Sequence, residues 1–284
     1  MTRGNHAASL IEEFHLSFLH VFTTALKPNL YVLKGGANLR YFFGSLRYSQ
    51  DIDLDYLGNQ LWRLEEVVGE VLTGAALRLS LRTSGIALVD LTKSKQTETT
   101  GCWKMGLVSS CAPENAPART KIEFSARGGD SKYDFLAVPD SVIGRYGMRS
   151  FSVQRYRLSA MIEQKVAALA NRSETKARDV FDLDLLFRLR LKSGNEEPIE
   201  SVYAEQASLR SLSLSDESFD NEVVPFLEPE IAKLYEARDT WETMRVFVCE
   251  SLGALAPVSD DVTPSDLDFN RPGPPRGRER RVRR

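Results

Sequence analysis

The chain has 284 residues, 42% hydrophobic and 27% charged, an ordinary balance for a globular protein with enough length for two cores. Its net charge of −2 excludes wholesale attraction to nucleic acid, so any such partner needs a local basic patch. Three cysteines without CxxC spacing (Cys102, Cys111, Cys249) argue against a disulfide framework and against a zinc site.

No apolar run approaches the roughly 18 residues of a membrane span, and charge interrupts the apolar stretch of Met1–Phe18, unlike a secretory leader. The expected setting is cytoplasmic, with no membrane partner. Leu10, Ile11, Phe14, Phe18, Leu19 and Phe22 recur at helical spacing and predict a helix over 8–26, closed by Pro28-Asn29. Tyr31–Leu33 reads as a buried strand running into Gly35-Gly36, and Asn38–Phe43 as the start of a helix. Asp51–Leu54 alternates polar and apolar, as a strand does. A helix is expected over Leu61–Leu72. Strand-like runs follow at Leu77–Thr83, Ile86–Leu91, Lys104–Ser109 and Lys121–Phe124, with polar Thr92–Thr100 as a hairpin tip or loop.

From about residue 155 the pattern is helical, over Arg157–Asn171, Asp179–Leu191, Ser201–Arg210 and Glu230–Leu252. From about Pro257 the composition is that of a disordered tail, and residues 271–284 carry seven arginines and one glutamate. That segment reads either as a solvated end or as an electrostatic arm for RNA. The outline is an α+β chain: a mixed-sheet domain with flanking helices (1–154), a helical domain (155–255) and an arginine-rich tail (256–284).

Five features carry chemistry. On a strand, Asp51 and Asp53 share one face while Ile52 and Leu54 point to the core. Two neighbouring carboxylates repel unless a cation lies between them, and Mg²⁺ or Mn²⁺ takes one or two carboxylates plus substrate phosphates. The plain alternative is a half-buried strand with a solvated acidic face. Lys34-Gly35-Gly36 lies between a strand and a helix, where glycine lets the backbone approach phosphate and free helical N–H groups attract anions; alone it could be a simple turn. In Thr120–Ser125, Ile122 and Phe124 face inward, which turns Glu123 to the side that Asp51 and Asp53 occupy. Glu123 is thus a third acid, a candidate general base on an acceptor hydroxyl, or else an exposed edge-strand residue. Lys165 falls within the apolar stripe of Leu158, Met161, Ile162, Val166 and Leu169, so it needs an anion, such as a triphosphate, or must snorkel to water. Asp179 and Asp182, three apart on one helix face, either hold Lys165 or the acceptor, or serve as cap and arginine partner.

A Gly-Gly turn after one strand, a short helix, then DxD on the next strand resembles the signature of the nucleotidyltransferase superfamily. Lys34-Gly-Gly-Ala-Asn-Leu-Arg40, Ser49-Gln-Asp-Ile-Asp-Leu54, Lys121-Ile-Glu-Phe-Ser125, Lys165 and Arg178-Asp-Val-Phe-Asp-Leu183 together resemble the four-motif pattern of the AbiEii/AbiGii nucleotidyltransferase toxins, over roughly residues 8–190. The resemblance implies a toxin that moves a nucleoside monophosphate from a triphosphate to an acceptor, the tRNA 3′ end, and so blocks translation. It also implies a separately encoded antitoxin, often a winged-helix repressor. Carried onto this sequence, Asp51 and Asp53 bind metal, Lys165 binds the nucleotide and Asp179 is catalytic; with Glu123 from the strand reading above, these five residues make the expected catalytic set. Lys34, Gly35, Gly36, Arg40, Ser49 and Lys165 bind the nucleotide. Where the common family form has Thr-Ala, this chain has Ala37-Asn38, and Asn38 is expected to donate in place of the lost hydroxyl. Three rival readings are an antibiotic nucleotidyltransferase acting on an aminoglycoside, a non-catalytic nucleotide-binding regulator, and a nucleic-acid-binding module resting on the tail. An acidic pocket would favour the first.

Overall fold

The computed structural model describes residues 3–97, 99–112, 116–126, 132–194, 199 and 201–255; the arginine-rich tail lies outside them. Helix α1 (Arg3–Ala25) leads through a 3₁₀ turn at Pro28–Leu30 into β1 (Tyr31–Lys34), α2 (Gly35–Phe42) and β2 (Ile52–Tyr56). Then come α3 (Leu61–Thr73), α4 (Ala75–Thr83), the long hairpin β3 (Ile86–Gln96) and β4 (Thr100–Ser109), β5 (Ala118–Ser125), β6 (Tyr133–Ala137), α5 (Asp140–Ile143) and β7 (Ser152–Tyr156). The remainder is helical: α6 (Leu158–Asn171), α7 (Ala177–Ser193), α8 (Ala204–Leu212), α9 (Asp216–Glu222), α10 (Pro229–Ala232) and α11 (Arg238–Gly253). The chain is thus α+β, with a mixed sheet followed by packed helices.

Among the described residues seven strands form one sheet, in the order β3-β4-β5-β2-β1-β7-β6. The pairs β1–β7 and β2–β5 are parallel and the others antiparallel. Strand alternation divides the side chains between two cores. Tyr31, Leu33, Ile52, Leu54, Ile122 and Phe124 face the core made with α1, α3 and α4. Val32, with Leu39 and Tyr156, faces the second core, made with α6, α7, α8 and α11. Asp53, Asp55 and Glu123 alternate with first-core residues, so they project from the sheet face that the later helices cover. That single fact places the site.

Three expectations change. Leu77–Thr83 is helix rather than strand: its leucines alternate, but only Leu77 and Leu81, four apart, are buried, while Leu79 is 55% exposed. Ala, Leu and Arg are also strong helix formers. The Thr92–Thr100 segment is largely strand, because β3 runs to Gln96 and Thr97 N–H bonds Thr100 O at 3.0 Å. Its polarity reflects an exposed hairpin arm. The single helix expected over Glu230–Leu252 is broken into α10, a 3₁₀ turn at Lys233–Tyr235 and α11. There Tyr235 packs against Phe181, with ring centroids 5.7 Å apart. Strands β6 and β7 are not among the expected elements, and the expected boundary at 154 falls within β7. No described helix is long and apolar enough to cross a membrane.

Candidate active site

The sheet register assembles the site. In β2, Asp53 lies opposite Lys34 of β1 on one side and Glu123 of β5 on the other. Asp51 sits one residue before β2, where its side-chain Oδ1 accepts from the Lys121 backbone N–H at 3.2 Å and its carbonyl accepts from Ser49 Oγ at 2.8 Å. A cleft of about 240 Å³ opens here, lined among others by Gly35, Gly36, Ser49, Asp51, Asp53 and Glu123. Its basic side chains are Arg47, Lys121, Lys165, Arg172 and Arg178.

The two glycines are small for a packing reason. Gly35 has φ +68°, and a Cβ there would lie 2.8 Å from Asp53 Oδ2; a Cβ on Gly36 would lie 2.6 Å from Ser49 Oγ. Helix α2 starts at Gly35 with no side-chain cap, so the first N–H groups of that helix end at the cleft wall and remain available to an anion.

The carboxylates crowd one another. Burial raises the pKa of Asp51, Lys121 opposes the rise, and Asp53 adds to it. Burial likewise raises Asp53, with Lys121 and Lys34 opposing and Glu123 adding. The Lys121 ammonium stands among them, 2.9 Å from Glu123 Oε2 and 3.8 Å from Asp51 Oδ2. A positive charge is thus already placed where the acids need one. Among the described residues no group of three or more Asp, Glu, His or Cys side chains gathers tightly enough to hold a metal ion unaided. The Asp51–Asp53 pair nevertheless suits a hard divalent cation that completes its shell with phosphate oxygens and water.

Behind the cleft lies a buried ionic network. Lys165 Nζ donates to Asp179 Oδ1 at 2.9 Å and lies 2.6 Å from Asp182 Oδ2. Arg47 grips Asp182 through two hydrogen bonds, Nε to Oδ1 at 2.8 Å and the second nitrogen to Oδ2 at 2.7 Å. Arg172 Nε is 2.9 Å from Asp179 Oδ2, an ion contact without hydrogen-bond geometry. Burial alone would raise Asp182, but the charges of Arg47 and Lys165 outweigh it and hold the carboxyl at about 2. Lys165 therefore does not snorkel; its stripe position directs it to two aspartates.

Several expected ligands lie elsewhere. Lys34 reaches past Asp53 to Asp55, 2.5 Å away, and to Ser125, so its ammonium is engaged away from the cleft. Arg40 ties α2 to α1 through Glu12 at 2.7 Å, bonds the Ser45 and Leu46 carbonyls, and lies over the Tyr48 ring. It is not among the cleft-lining residues, because it leaves the far end of α2 rather than the end that starts at Gly35. Asn38, buried, donates to the Tyr156 carbonyl at 3.1 Å rather than toward the cleft. Asp55 is held by Lys34 and by Tyr156 Oη at 2.8 Å, which makes it a brace between strands. Asp51, Asp53, Glu123, Lys165, Gly35, Gly36 and Ser49 do converge on one cleft.

Arg47, Lys121 and Arg172 were not singled out from sequence. Lys121 carried a usable signal, since it shares the Glu123 face two residues earlier. Arg47 meets Asp182 across 135 residues, and nothing local announces that pairing.

A glycine-tight turn, paired strand carboxylates and a basic wall on a mixed sheet define a nucleotidyltransferase. A family model described as "Nucleotidyl transferase AbiEii toxin, Type IV TA system" matches residues 18–245, and the chain belongs to that family. It is thus a nucleotidyltransferase toxin of a toxin–antitoxin pair. Among solved structures, JHP933 from Helicobacter pylori aligns with TM-score 0.54 and 22% identity, covering 87% of this chain and 93% of that one. A second H. pylori chain, provisionally described as a nucleotidyltransferase, aligns with TM-score 0.51 and 19% identity over 84% and 95% of the two chains. At these identities the likeness shows the fold alone. No curated protein matches.

Proposed function

We propose that this toxin transfers a nucleoside monophosphate from a nucleoside triphosphate to an RNA acceptor, the 3′ end of tRNA, in a metal-dependent reaction in the cytoplasm. The observation that carries this reading is the convergence of Asp51, Asp53 and Glu123 with Lys121, Arg178 and the Gly35-Gly36 turn on one cleft. Asp51 and Asp53 would hold Mg²⁺ or Mn²⁺. Such a cation would supply charge neutralisation at the phosphate oxygens and at the attacking and leaving oxygens.

The chain's own groups do the rest. The first N–H groups of α2 receive phosphate oxygens, and glycine keeps that approach open. Arg178, which lines the same cleft, supplies positive charge. Lys165, Arg47 and Arg172 share two buried carboxylates, so the network keeps one positive charge in excess behind the cleft. Glu123 accepts the proton of the acceptor hydroxyl. The acceptor oxygen bonds the α-phosphorus, the bond to the β-phosphate oxygen breaks, and pyrophosphate leaves. Asp179 orients Lys165 and through it the basic wall.

Five cations and three carboxylates line the cleft, and the two carboxylates behind it make the local count even before a metal adds charge. An aminoglycoside polycation needs an acidic pocket, so the even balance counts against that acceptor. The partner antitoxin is proposed to be a separately encoded winged-helix repressor. Incubation with each labelled triphosphate and total RNA tests the reading: label should appear on tRNA with release of pyrophosphate.

A further inference from the structure

Asp51 lies outside the β2 ladder, which begins at Ile52, so sheet pairing alone does not fix it. We propose that His15 and Thr120 are positioning residues, a buried relay from α1 through β5 that fixes the Gln50 carbonyl and so the metal-facing geometry of Asp51. The proposal rests on the metal-dependent transferase reading above.

Thr120 Oγ donates to the Gln50 carbonyl at 2.7 Å, and His15 Nε2 lies 2.7 Å from the same Oγ. A hydroxyl has one proton, and a carbonyl can only accept. That proton therefore goes to Gln50, and His15 must donate through Nε2–H. The assignment leaves Nδ1 as a bare acceptor, and Nδ1 is buried without a hydrogen-bond partner among the described residues. The ring is fully buried on α1, where the adjacent Phe14 and Leu16 belong to the apolar core and Glu12 and Ser17 are the other buried polar side chains. An apolar side chain there would pack without stranding a ring nitrogen, so the imidazole costs stability that packing does not explain. Its one hydrogen bond, to Thr120, accounts for its presence.

Register explains why the relay is needed. Ile52 pairs with Ile122, so by the same offset Gln50 and Thr120 stand opposite each other two positions beyond the end of the β2–β5 ladder. The Thr120 hydroxyl continues the strand pairing where the backbone ladder has stopped. The neighbouring residue, Lys121, bonds Asp51 Oδ1 through its N–H, and Ser49 Oγ bonds the Asp51 carbonyl. Asp51 is thereby held from the residue before it, from its own backbone and from its carboxylate.

The test uses the full chain, a non-hydrolysable triphosphate analogue and Mn²⁺, with Mn²⁺ binding read by electron paramagnetic resonance alongside transfer kinetics. Thr120→Val keeps shape and removes the hydroxyl. It should weaken Mn²⁺ binding and lower kcat, each by about 10- to 100-fold, the range seen when outer-shell partners of metal ligands are lost. KM for the triphosphate should stay near the wild-type value. Thr120→Ser should restore both quantities. If Thr120→Val does not fold, His15→Leu breaks the relay from its other end within an apolar helix face and should shift Mn²⁺ binding in the same direction. A folded Thr120→Val protein that binds Mn²⁺ and turns over as wild type overturns the proposal, as does a Thr120→Ser protein no better than Thr120→Val. If the wild-type protein binds Mn²⁺ yet labels no acceptor, the transferase reading fails while the Mn²⁺ comparison still decides the relay.

Discussion

Replacing Gly35 with alanine adds one methyl group where the site has no room. Its Cβ would lie 2.8 Å from Asp53 Oδ2 and 3.4 Å from Asp53 Cβ. The first contact is too close and the second is tolerable, so the carboxylate must swing aside by about 0.6 Å to regain ordinary contact. A displacement of about 1 Å at a reacting centre costs on the order of 100-fold in rate, so this smaller shift should cost about 10- to 30-fold in kcat. The backbone adds a separate penalty, because alanine at φ +68° pays roughly 1–2 kcal/mol that glycine does not. That part should appear as lost stability. Urea titration and labelled-nucleotide transfer separate the two effects. Gly35→Ala should lose about 1–2 kcal/mol of stability and most of its activity even in conditions where it is fully folded. A folded Gly35→Ala protein with wild-type transfer would show that Asp53 need not sit where it does.

Lys165→Met should lose stability as well as activity, because it strands Asp179 and Asp182, each fully buried, beside one cation fewer; breaking a buried pair in this way costs roughly 3–5 kcal/mol. Chemical denaturation checks this, and an unchanged midpoint would contradict the network. Asp182 is depressed, so it contributes stability that is complete above its ordinary 3.8 and is lost as pH falls toward about 2. Asp182→Asn should remove that acid-denaturation step. Asp51 and Asp53 are raised, so their folded forms are favoured at low pH, and the metal-free protein loses that stability as pH rises through the raised values. Divalent cation should therefore raise the melting temperature more at neutral pH than in mild acid. For the same reason transfer should fall on acidification, and Lys121→Met, which removes the counter-charge from both acids, should move that acid limb to higher pH.

Local pattern made the sheet half of the site legible. Alternation in Asp51–Leu54 and Lys121–Phe124 decided which side chains face the core, and the structure puts the acids on the opposite face. Alternation misled at Leu77–Leu81, where every second residue is leucine but the helix buries only the first and third. The basic wall was harder to see. Lys165 was visible as a charge inside an apolar stripe, yet its partners Asp179 and Asp182 compete with a triphosphate for the same ammonium. Arg40 and Lys34 read alike from sequence as cations near the turn, and Arg47 carries no local signal at all. Only tertiary contacts separate them: Glu12 takes Arg40, Asp55 takes Lys34, and Asp182 brings Arg47 to the cleft.

The most direct test of the transferase site is nucleotide transfer by Asp53→Ala, measured with each α-labelled triphosphate and total RNA beside the wild-type protein. Loss of one acid from a metal clamp should reduce labelling on the order of 1000-fold. Far-ultraviolet circular dichroism and the unfolding midpoint should show the variant folded, since the raised pKa of Asp53 marks it as a burden on stability. Wild-type protein that labels RNA and releases pyrophosphate, together with a folded Asp53→Ala protein that does neither, is the predicted result. Labelling by folded Asp53→Ala at the wild-type rate would contradict it.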